Sequence, residues 1–447
     1  MKPDLLTLAK AGCSEAVRAG AHQADVFVEN SRLVEVEVEA SSVRYCDVKE
    51  DPGYSIRAVN KGGKGFMHGM GLSERKIRTA AARAAEMAAF AHPDPDFRSL
   101  PAPEDHIAVE GLFDPQIAEI TSGEAVRWAG EIIEAGCSVS QEVILRAGIT
   151  LRMTEVAVAN SLGVATAEKF SSASVYVFAI VRRGDDVGSF YDFSRARSLK
   201  DLSPPSELSR KTVQKALSYL GARKIPSGIY PLLLAPMATS ELIHELCAAA
   251  SAENIQKNRS YLIGRKDTAI GTELLTIHDD GLVRGGEGSS AFDAEGVPRK
   301  LFRLIEKGVL TGYFHNSYTA AKSGEPNTAH AARAGYYGDV GIGCTNLRIA
   351  TGTHNEAEIV KNIADGLYID SASFSPNLSS GDISATIDFG WKIENGELAY
   401  PVANTMLGSN MLVMLKRIES VSSDFRDDAG SILPSLLIGD TQVASAG

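Results

Sequence analysis

Leu33-Val-Glu-Val-Glu-Val-Glu, residues 33–39, alternates apolar and acidic side chains with a period of two. Successive side chains of a strand point to opposite faces, so this stretch reads as a strand with one face buried. Upstream, Ala24-Asp-Val-Phe-Val-Glu alternates in the same way and reads as a second strand. Before it, residues 4–20 place apolar positions at helical spacing and stop at Gly20. Downstream, Gly53-Tyr-Ser-Ile-Arg-Ala-Val is a further strand, and the turn Asn60-Lys-Gly-Gly-Lys-Gly leads into a partner, Phe66-Met-His-Gly-Met. Ser73 then caps an alanine-rich helix that reaches about Phe90. Helix, several strands, helix: residues 1–92 read as a segregated α+β unit.

Four prolines, Pro93, Pro95, Pro101 and Pro103, follow within a few residues. Proline blocks helix and central strand alike, so residues 93–116 read as a linker. A second α+β unit spans 117–224. It opens with a helix over 117–137, continues with strands at Val143–Ile149, Met153–Ala159 and Ser174–Val181, and closes with a helix over 206–221. Asn160-Ser-Leu-Gly supplies a turn between two of the strands. The order of elements repeats that of the first unit, which suggests a duplication. The third segment, 225–447, starts at the apolar strand Gly228-Ile-Tyr-Pro-Leu-Leu-Leu and a helix from Thr239 to about Ala252. Short strand-like pieces separated by Gly and Asp follow, with one helix near Glu356–Ile363, as in a β-rich domain. The expected fold class is therefore α+β: an N-terminal α/β portion of two similar helix-strand units, then a β-rich C-terminal domain.

A chain of 447 residues, 44% of them hydrophobic, buries a large core without disulfides. Its 45 basic and 56 acidic residues give a formal net charge of -11, and no long Lys/Arg tract occurs. That balance argues against a primary role on nucleic acid. The five cysteines (Cys13, Cys46, Cys137, Cys247 and Cys344) are scattered and form no CxxC, which argues against a cysteine-framed zinc site. Met1-Lys-Pro-Asp-Leu-Leu-Thr-Leu reads as the start of an amphipathic helix and not as an export segment. No run of about 18 apolar residues exists to span a bilayer. A cytoplasmic protein is expected.

His244-Glu245 lies inside the helix Ser240-Glu-Leu-Ile-His-Glu-Leu-Cys-Ala-Ala-Ala. A zinc-peptidase helix needs two histidines about one turn apart, so that both imidazoles reach one ion while the Glu activates water. HExxH would require His at 248 and HExxxH would require it at 249; both positions are alanine. One His and one Glu do not make a three-ligand catalytic zinc site. His244 reads as an ordinary helix residue.

The C-terminal half carries, along most of its length, a series of short pieces that match a known family. The matching pieces include Gly228-Ile-Tyr-Pro-Leu-Leu-Leu, Ser289-Ser-Ala-Phe-Asp-Ala-Glu-Gly-Val, Leu304-Ile-Glu-Lys-Gly-Val-Leu-Thr-Gly-Tyr and Asn316-Ser-Tyr-Thr-Ala-Ala-Lys. They continue through Asp365-Gly-Leu-Tyr-Ile, Gly390-Trp-Lys-Ile-Glu-Asn-Gly-Glu-Leu and Thr405-Met-Leu-Gly-Ser-Asn. The N-terminal pieces Gly20-Ala-His-Gln-Ala-Asp-Val and His92-Pro-Asp-Pro-Asp match too. Ordinary turn chemistry explains each piece but not their shared order, and in that order the chain resembles the TldD/PmbA family.

The resemblance implies two kinds of subunit. TldD-like chains carry HExxxH and a late cysteine as zinc ligands, and degrade unfolded or leader peptides. PmbA/TldE-like chains lack that set and pair with the zinc-bearing chain. Here the late-cysteine region falls near Asp427-Asp-Ala-Gly-Ser, which has no cysteine. The resemblance therefore implies a metallopeptidase-family member without its own zinc site, paired with a TldD-like zinc-bearing subunit around a peptide substrate. No catalytic, cofactor-binding or metal-binding residue is assigned, and no cofactor is expected. A homodimer is compatible with the absence of that partner, because the same surface would otherwise be exposed.

Several other groupings offer rival chemistry. Cys247 lies three residues from His244 and could form a nucleophilic pair with it, or be a plain core cysteine. His315, His330 and Cys344 could converge as atypical ligands of an active hydrolase. His278-Asp-Asp-Gly reads as a turn, with an Asp-His metal pair as the minor reading. The glycine-rich Gly281–Ser290 could cradle phosphate, but lacks a GKS/T signature; a mobile loop lining a substrate channel suits it better. Leu33–Glu39 could bind an extended peptide by β-addition, or be a normally paired strand. A protein-binding regulator, in line with the family's older name "modulator of DNA gyrase", is the rival from another class.

Overall fold

The computed structural model describes residues 4–445; Met1 to Pro3, where the N-terminal helix was expected to begin, lie outside the described residues. Helix α1 (Leu5–Arg18) is capped by Asp4, whose carboxylate accepts from Thr7 N–H. Strands β1 (Gln23–Glu39), β2 (Ser42–Asn60) and β3 (Gly63–Met70) form a meander, and α2 (Glu74–Phe90) follows. Ser73 takes the N-cap position of α2, but its hydroxyl makes no capping bond. The two strands expected within 24–39 are one. Glu29-Asn-Ser-Arg breaks the alternation, yet β1 runs through it because β2 and β4 pair with it on both sides.

Residues 93–114 contain no helix or strand. The helix expected over 117–137 is two helices, α3 (Pro115–Glu119) and α4 (Ser122–Val139). Thr121 and Glu124 form a reciprocal capping box that starts the second. Strands β4 (Val143–Asn160), β5 (Ala165–Arg183) and β6 (Asp186–Ala196) form another meander, closed by α5 (Pro205–Ser218). The strands expected at 143–149 and 153–159 are again one. The Asn160 turn is present, with its side-chain oxygen accepting from Leu162 N and Val164 N.

The two units share one sheet, ordered β3-β2-β1-β4-β5-β6, with β1 and β4 antiparallel at its centre. Exchanging the units leaves that order unchanged, as a duplicated helix-meander-helix motif requires. Val26, Val28, Val34, Val36 and Val38 occupy even positions of β1, so they share one face. On that face α1 and α2 cover one half and α4 and α5 the other. Part of the opposite face, Phe27, Val158 and Val164, packs on Ala291, Phe292 and Tyr336 of the third segment.

That segment opens with β7 (Gly228–Leu234), α6 (Pro236–Ala249) and α7 (Ala252–Gln256). There follow β8 (Ile277–Asp280), β9 (Leu301–Glu306), β10 (Val309–Leu310), α8 (Ser317–Ser323), β11 (Ala331–Ala332), β12 (Gly341–Ile342) and β13 (Leu347–Ile349). Next come α9 (Glu356–Lys361), β14 (Asp365–Ala372), β15 (Asp382–Glu394), β16 (Glu397–Pro401) and β17 (Thr405–Asn410). Helix α10 (Met411–Lys416) and the hairpin β18 (Ile418–Asp428) and β19 (Ser431–Ser445) are the last elements among the described residues. Pairings β7–β14, β14–β15, β15–β17, β17–β19 and β19–β7 close into a five-strand circuit. Closure removes free edges, and Leu242, Ile243 and Leu246 of α6 pack into the core that these strands enclose. The α+β class and the β-rich C-terminal region are as the sequence indicates.

Candidate functional site

Strand β7 delivers the chain into α6 through Ala235-Pro236, with proline at the first helical turn, where its missing N–H costs nothing. The buried side of α6 carries Leu242, Ile243, Leu246, Cys247 and Ala249. The other side presents Glu241, His244 and Glu245 to a cleft of about 510 Å³. Tyr191, Phe193 and Arg195 of β6 form the facing wall, with Ser371 to Phe374, Asp388 and Arg426 beside them. The cleft thus lies between the six-stranded sheet and the C-terminal domain.

Glu241 is the most constrained group in it. Its carboxylate accepts from Tyr191 Oη at 3.1 Å, Ser371 Oγ at 2.8 Å and Ala372 N at 2.9 Å. Burial still pushes its carboxyl above the usual range, with nearby Asp388 adding to the rise. Burial likewise pushes the Tyr191 hydroxyl up to about 12. Desolvation raises Glu245 as well, against the pull of His244. Across the cleft, Arg426 Nη1 pairs with Asp192 Oδ1 at 2.8 Å and its Nη2 donates to Phe193 O at 2.6 Å. Arg195 pairs with Asp428 at 3.1 Å and Glu287 at 3.3 Å. Both guanidiniums lie over the Phe193 ring, 4.6 and 4.4 Å from its centroid.

A zinc ion does not fit this donor set. His244 is exposed, and its Nδ1 donates back to Ser240 O at 2.8 Å. Ala248 and Ala249 offer no ligand. The side chains facing α6 from the late-cysteine region are Arg426, a cation, and Asp428, which Arg195 already holds. Among the described residues, no three His, Cys, Asp or Glu side chains are grouped to hold a metal ion.

The rival groupings resolve differently. His244 and Cys247 do not pair: one is exposed at the cleft, while the other is buried in the core beneath the helix. His315 and His330 do come together, since His330 N donates to His315 O at 3.1 Å and Gly343 N, next to Cys344, donates to His330 O at 3.1 Å. Their rings face different partners. His315 Nδ1 meets Thr319 Oγ1 at 3.3 Å, and His330 Nε2 meets the buried Asp279 at 3.2 Å. His278 lies in β8 and not in a turn, bonded to Glu306 across the sheet at 3.0 Å; its neighbour Asp279 serves His330 instead.

The Gly281–Ser290 loop does not cradle phosphate. Gly285, Glu287 and Gly288 N–H are spent on Glu110 O, Ala429 O and Asn346 Oδ1, which also ties the loop to its neighbours. It lines a second cavity of about 660 Å³ that shares Phe193, Arg195, Arg426 and Asp428 with the first. Leu33–Glu39 offers no free edge, being paired on both sides; β3 and β6 are the outer strands of that sheet. Glu241, Tyr191, Arg195 and Arg426 escaped the sequence reading. The i, i+3, i+4 spacing of Glu241, His244 and Glu245 was the available signal for one helix face.

Family models match the chain in three consecutive blocks. They are the PmbA/TldA metallopeptidase domain 1 at residues 24–88, the central domain at 115–220 and the C-terminal domain at 227–445. The Escherichia coli O157:H7 metalloprotease PmbA is 23% identical over 94% of this chain and 92% of its own length. A zinc metalloprotease TldD homolog of Saccharolobus solfataricus is 26% identical over 58% of this chain and 59% of its own. The crystal structure of TldE from Thermococcus kodakarensis superposes with a TM-score of 0.90 at 22% identity, covering 98% of this chain and 100% of that one. No helix among the described residues is long and apolar enough to cross a membrane. With three family domains matched in order from residue 24 to 445, the chain belongs to the PmbA/TldD metallopeptidase family.

Proposed function

We propose that this chain is the non-catalytic, PmbA/TldE-type subunit of a two-chain zinc peptidase. It pairs with a zinc-bearing TldD-type chain and helps to hold an unfolded or leader peptide for cleavage. The observation that carries this reading is the face of α6: His244 and Glu245 reach the cleft, alanines stand at 248 and 249, and Arg426 stands opposite. A guanidinium repels a divalent ion at that position, whereas it suits the carbonyls and carboxylates of a peptide. The contribution of this chain is a wall. Phe193, Tyr191 and Met237 provide apolar contact, and β6 is an outer strand of its sheet beside the cleft.

A cytoplasmic location belongs to the same reading, in keeping with five unpaired cysteines. The acidic balance supports a peptide partner over DNA. The test is cleavage of an unstructured peptide by a zinc-bearing TldD-type chain, by this chain, and by the two mixed. Cleavage by the mixture well above either chain alone, with co-elution on size exclusion, supports the assignment. Equal cleavage with and without this chain, and no complex, would remove it.

A further inference from the structure

Arg57 of β2 leaves one donor unspent. Its Nε and Nη2 donate to Asp25 at 3.1 and 2.9 Å, and Nη2 also to Glu295 at 2.8 Å. Its Nη1 has no hydrogen-bond partner among the described residues. Arg57 is 7% exposed, yet this nitrogen is not sealed in protein. It opens onto a cavity of about 300 Å³ that Arg57 lines, where the first unit meets α7 and α8. Asn316, 5% exposed, lines the same cavity. Its Oδ1 caps α8 by accepting from Thr319 N at 2.9 Å, while its Nδ2 has a single long bond, to Gly341 O at 3.4 Å. A side-chain amide carries two N–H donors, so Asn316 also has capacity to spare.

The opposite polarity comes from the proline-rich segment. Asp94 N donates to Gly62 O at 2.9 Å, which lays this segment over the turn between β2 and β3, and Phe97 N donates to Asp94 O at 3.3 Å. Gly62 permits the approach: its φ is +86°, and a Cβ there would meet Asp94 O at 3.0 Å. Asp94 and Phe97 thereby reach the cavity, where Val59 and Val340 extend the apolar wall. The Asp94 carboxylate accepts from Asp96 N at 2.9 Å and holds no ion pair among the described residues. The lysines at the rim are committed elsewhere, Lys64 to Asp339, Lys257 to Glu253 and Lys322 to Asp96. These pairs cancel, and so do the charges of Arg57, Arg333, Asp25 and Glu295. The cavity therefore offers spare donors and one uncompensated carboxylate.

We propose that this cavity binds a free α-amino acid with an apolar side chain. The ligand carboxylate accepts from Arg57 Nη1 and Asn316 Nδ2, its ammonium pairs with Asp94, and its side chain lies on Phe97, Val59 and Val340. A zwitterion matches both kinds of group, whereas a phosphate would face Asp94 with no unpaired cation to offset its charge. The volume is at the lower end for small-molecule sites, which suits a ligand of this size. Once bound, it touches the first unit and the third segment together and ties one to the other. The cavity shares no lining residue with the cleft at α6, so the site stands apart from the peptidase assignment.

The experiment is thermal unfolding of the full chain with increasing L-leucine or L-phenylalanine, and with acetate, methylammonium or inorganic phosphate in parallel. The expected result is a rise in Tm that saturates with either amino acid and is absent with the three simple ions. Asp94→Asn keeps an acceptor for Asp96 N but removes the charge, and should weaken binding roughly tenfold. Val340→Trp fills the cavity and should abolish the shift; the Tm of each variant without ligand shows that it is folded. No rise in Tm with either amino acid, and no heat on calorimetric titration, would overturn the proposal. An equal rise with acetate or phosphate would do the same, because it marks a plain anion site. So would a shift that the folded variants leave unchanged.

Discussion

Arg426 of β18 and Asp192 of β6 form an ion pair at 2.8 Å that bridges the C-terminal domain and the six-stranded sheet. The same guanidinium holds Phe193 O, so one side chain fixes both the strand and the cleft wall. Each member is about a quarter exposed, at 24% and 27%, so solvent weakens the pair without abolishing it. Arg426→Ala and Asp192→Ala are each expected to cost about 1 kcal/mol in urea unfolding, with a double mutant costing less than their sum. Strict additivity would mean that the pair does not couple the two domains.

Gly65 is the third residue of β3 and Gly188 the third of β6, at equivalent places in the two meanders. A Cβ on Gly65 would collide with Ala84 O of α2, and one on Gly188 with Ala216 O of α5. Both glycines let a helix backbone lie directly on an outer strand. Gly65→Ala and Gly188→Ala are each expected to destabilise by about 1–3 kcal/mol, the range for overpacking. A neutral effect at either position, measured by thermal unfolding, would break the proposed equivalence of the units.

Arg57 bridges Asp25 at 2.9 Å and Glu295 at 2.8 Å, and Arg333 adds a bond to Asp25 at 3.1 Å. All four side chains are buried where the first unit meets the third segment. Arg57→Met removes the cation but leaves two buried carboxylates with one arginine, so a loss of about 3–5 kcal/mol is expected. A mild effect in denaturant titration would show that water enters this interface.

His315 has its imidazole pushed down to about 4, chiefly by burial. The unfolded chain keeps a histidine near ~6.5, so between these values the unfolded state binds the extra proton. Stability therefore falls as pH drops through that window and levels off below it, by about 3 kcal/mol if burial alone acts. Asp293, raised to about 6 by burial, contributes in the opposite sense over part of the range. The comparison that isolates His315 is with His315→Gln, whose stability should fall less between pH 7 and pH 4. Parallel profiles would show that His315 keeps an ordinary affinity for protons.

The duplicated helix-strand order was legible because alternation at Leu33–Glu39 and helical spacing around it are local signals. Strand length was not. Glu29-Asn-Ser-Arg has no alternation, and only partners distant in sequence carry β1 through it. The missing histidines at 248 and 249 were equally plain. The opposite wall, Tyr191, Arg195 and Arg426, was hidden because tertiary folding alone brings β6 and β18 to α6.

The most direct measurement is the zinc content of the purified chain by itself, together with its activity on an unstructured peptide before and after chelation. Far less than one zinc per chain, and no chelator-sensitive cleavage, is the result expected from an α6 that presents a single imidazole opposite arginine. Zinc bound near one per chain, with proteolysis that chelation abolishes and added zinc restores, would contradict it.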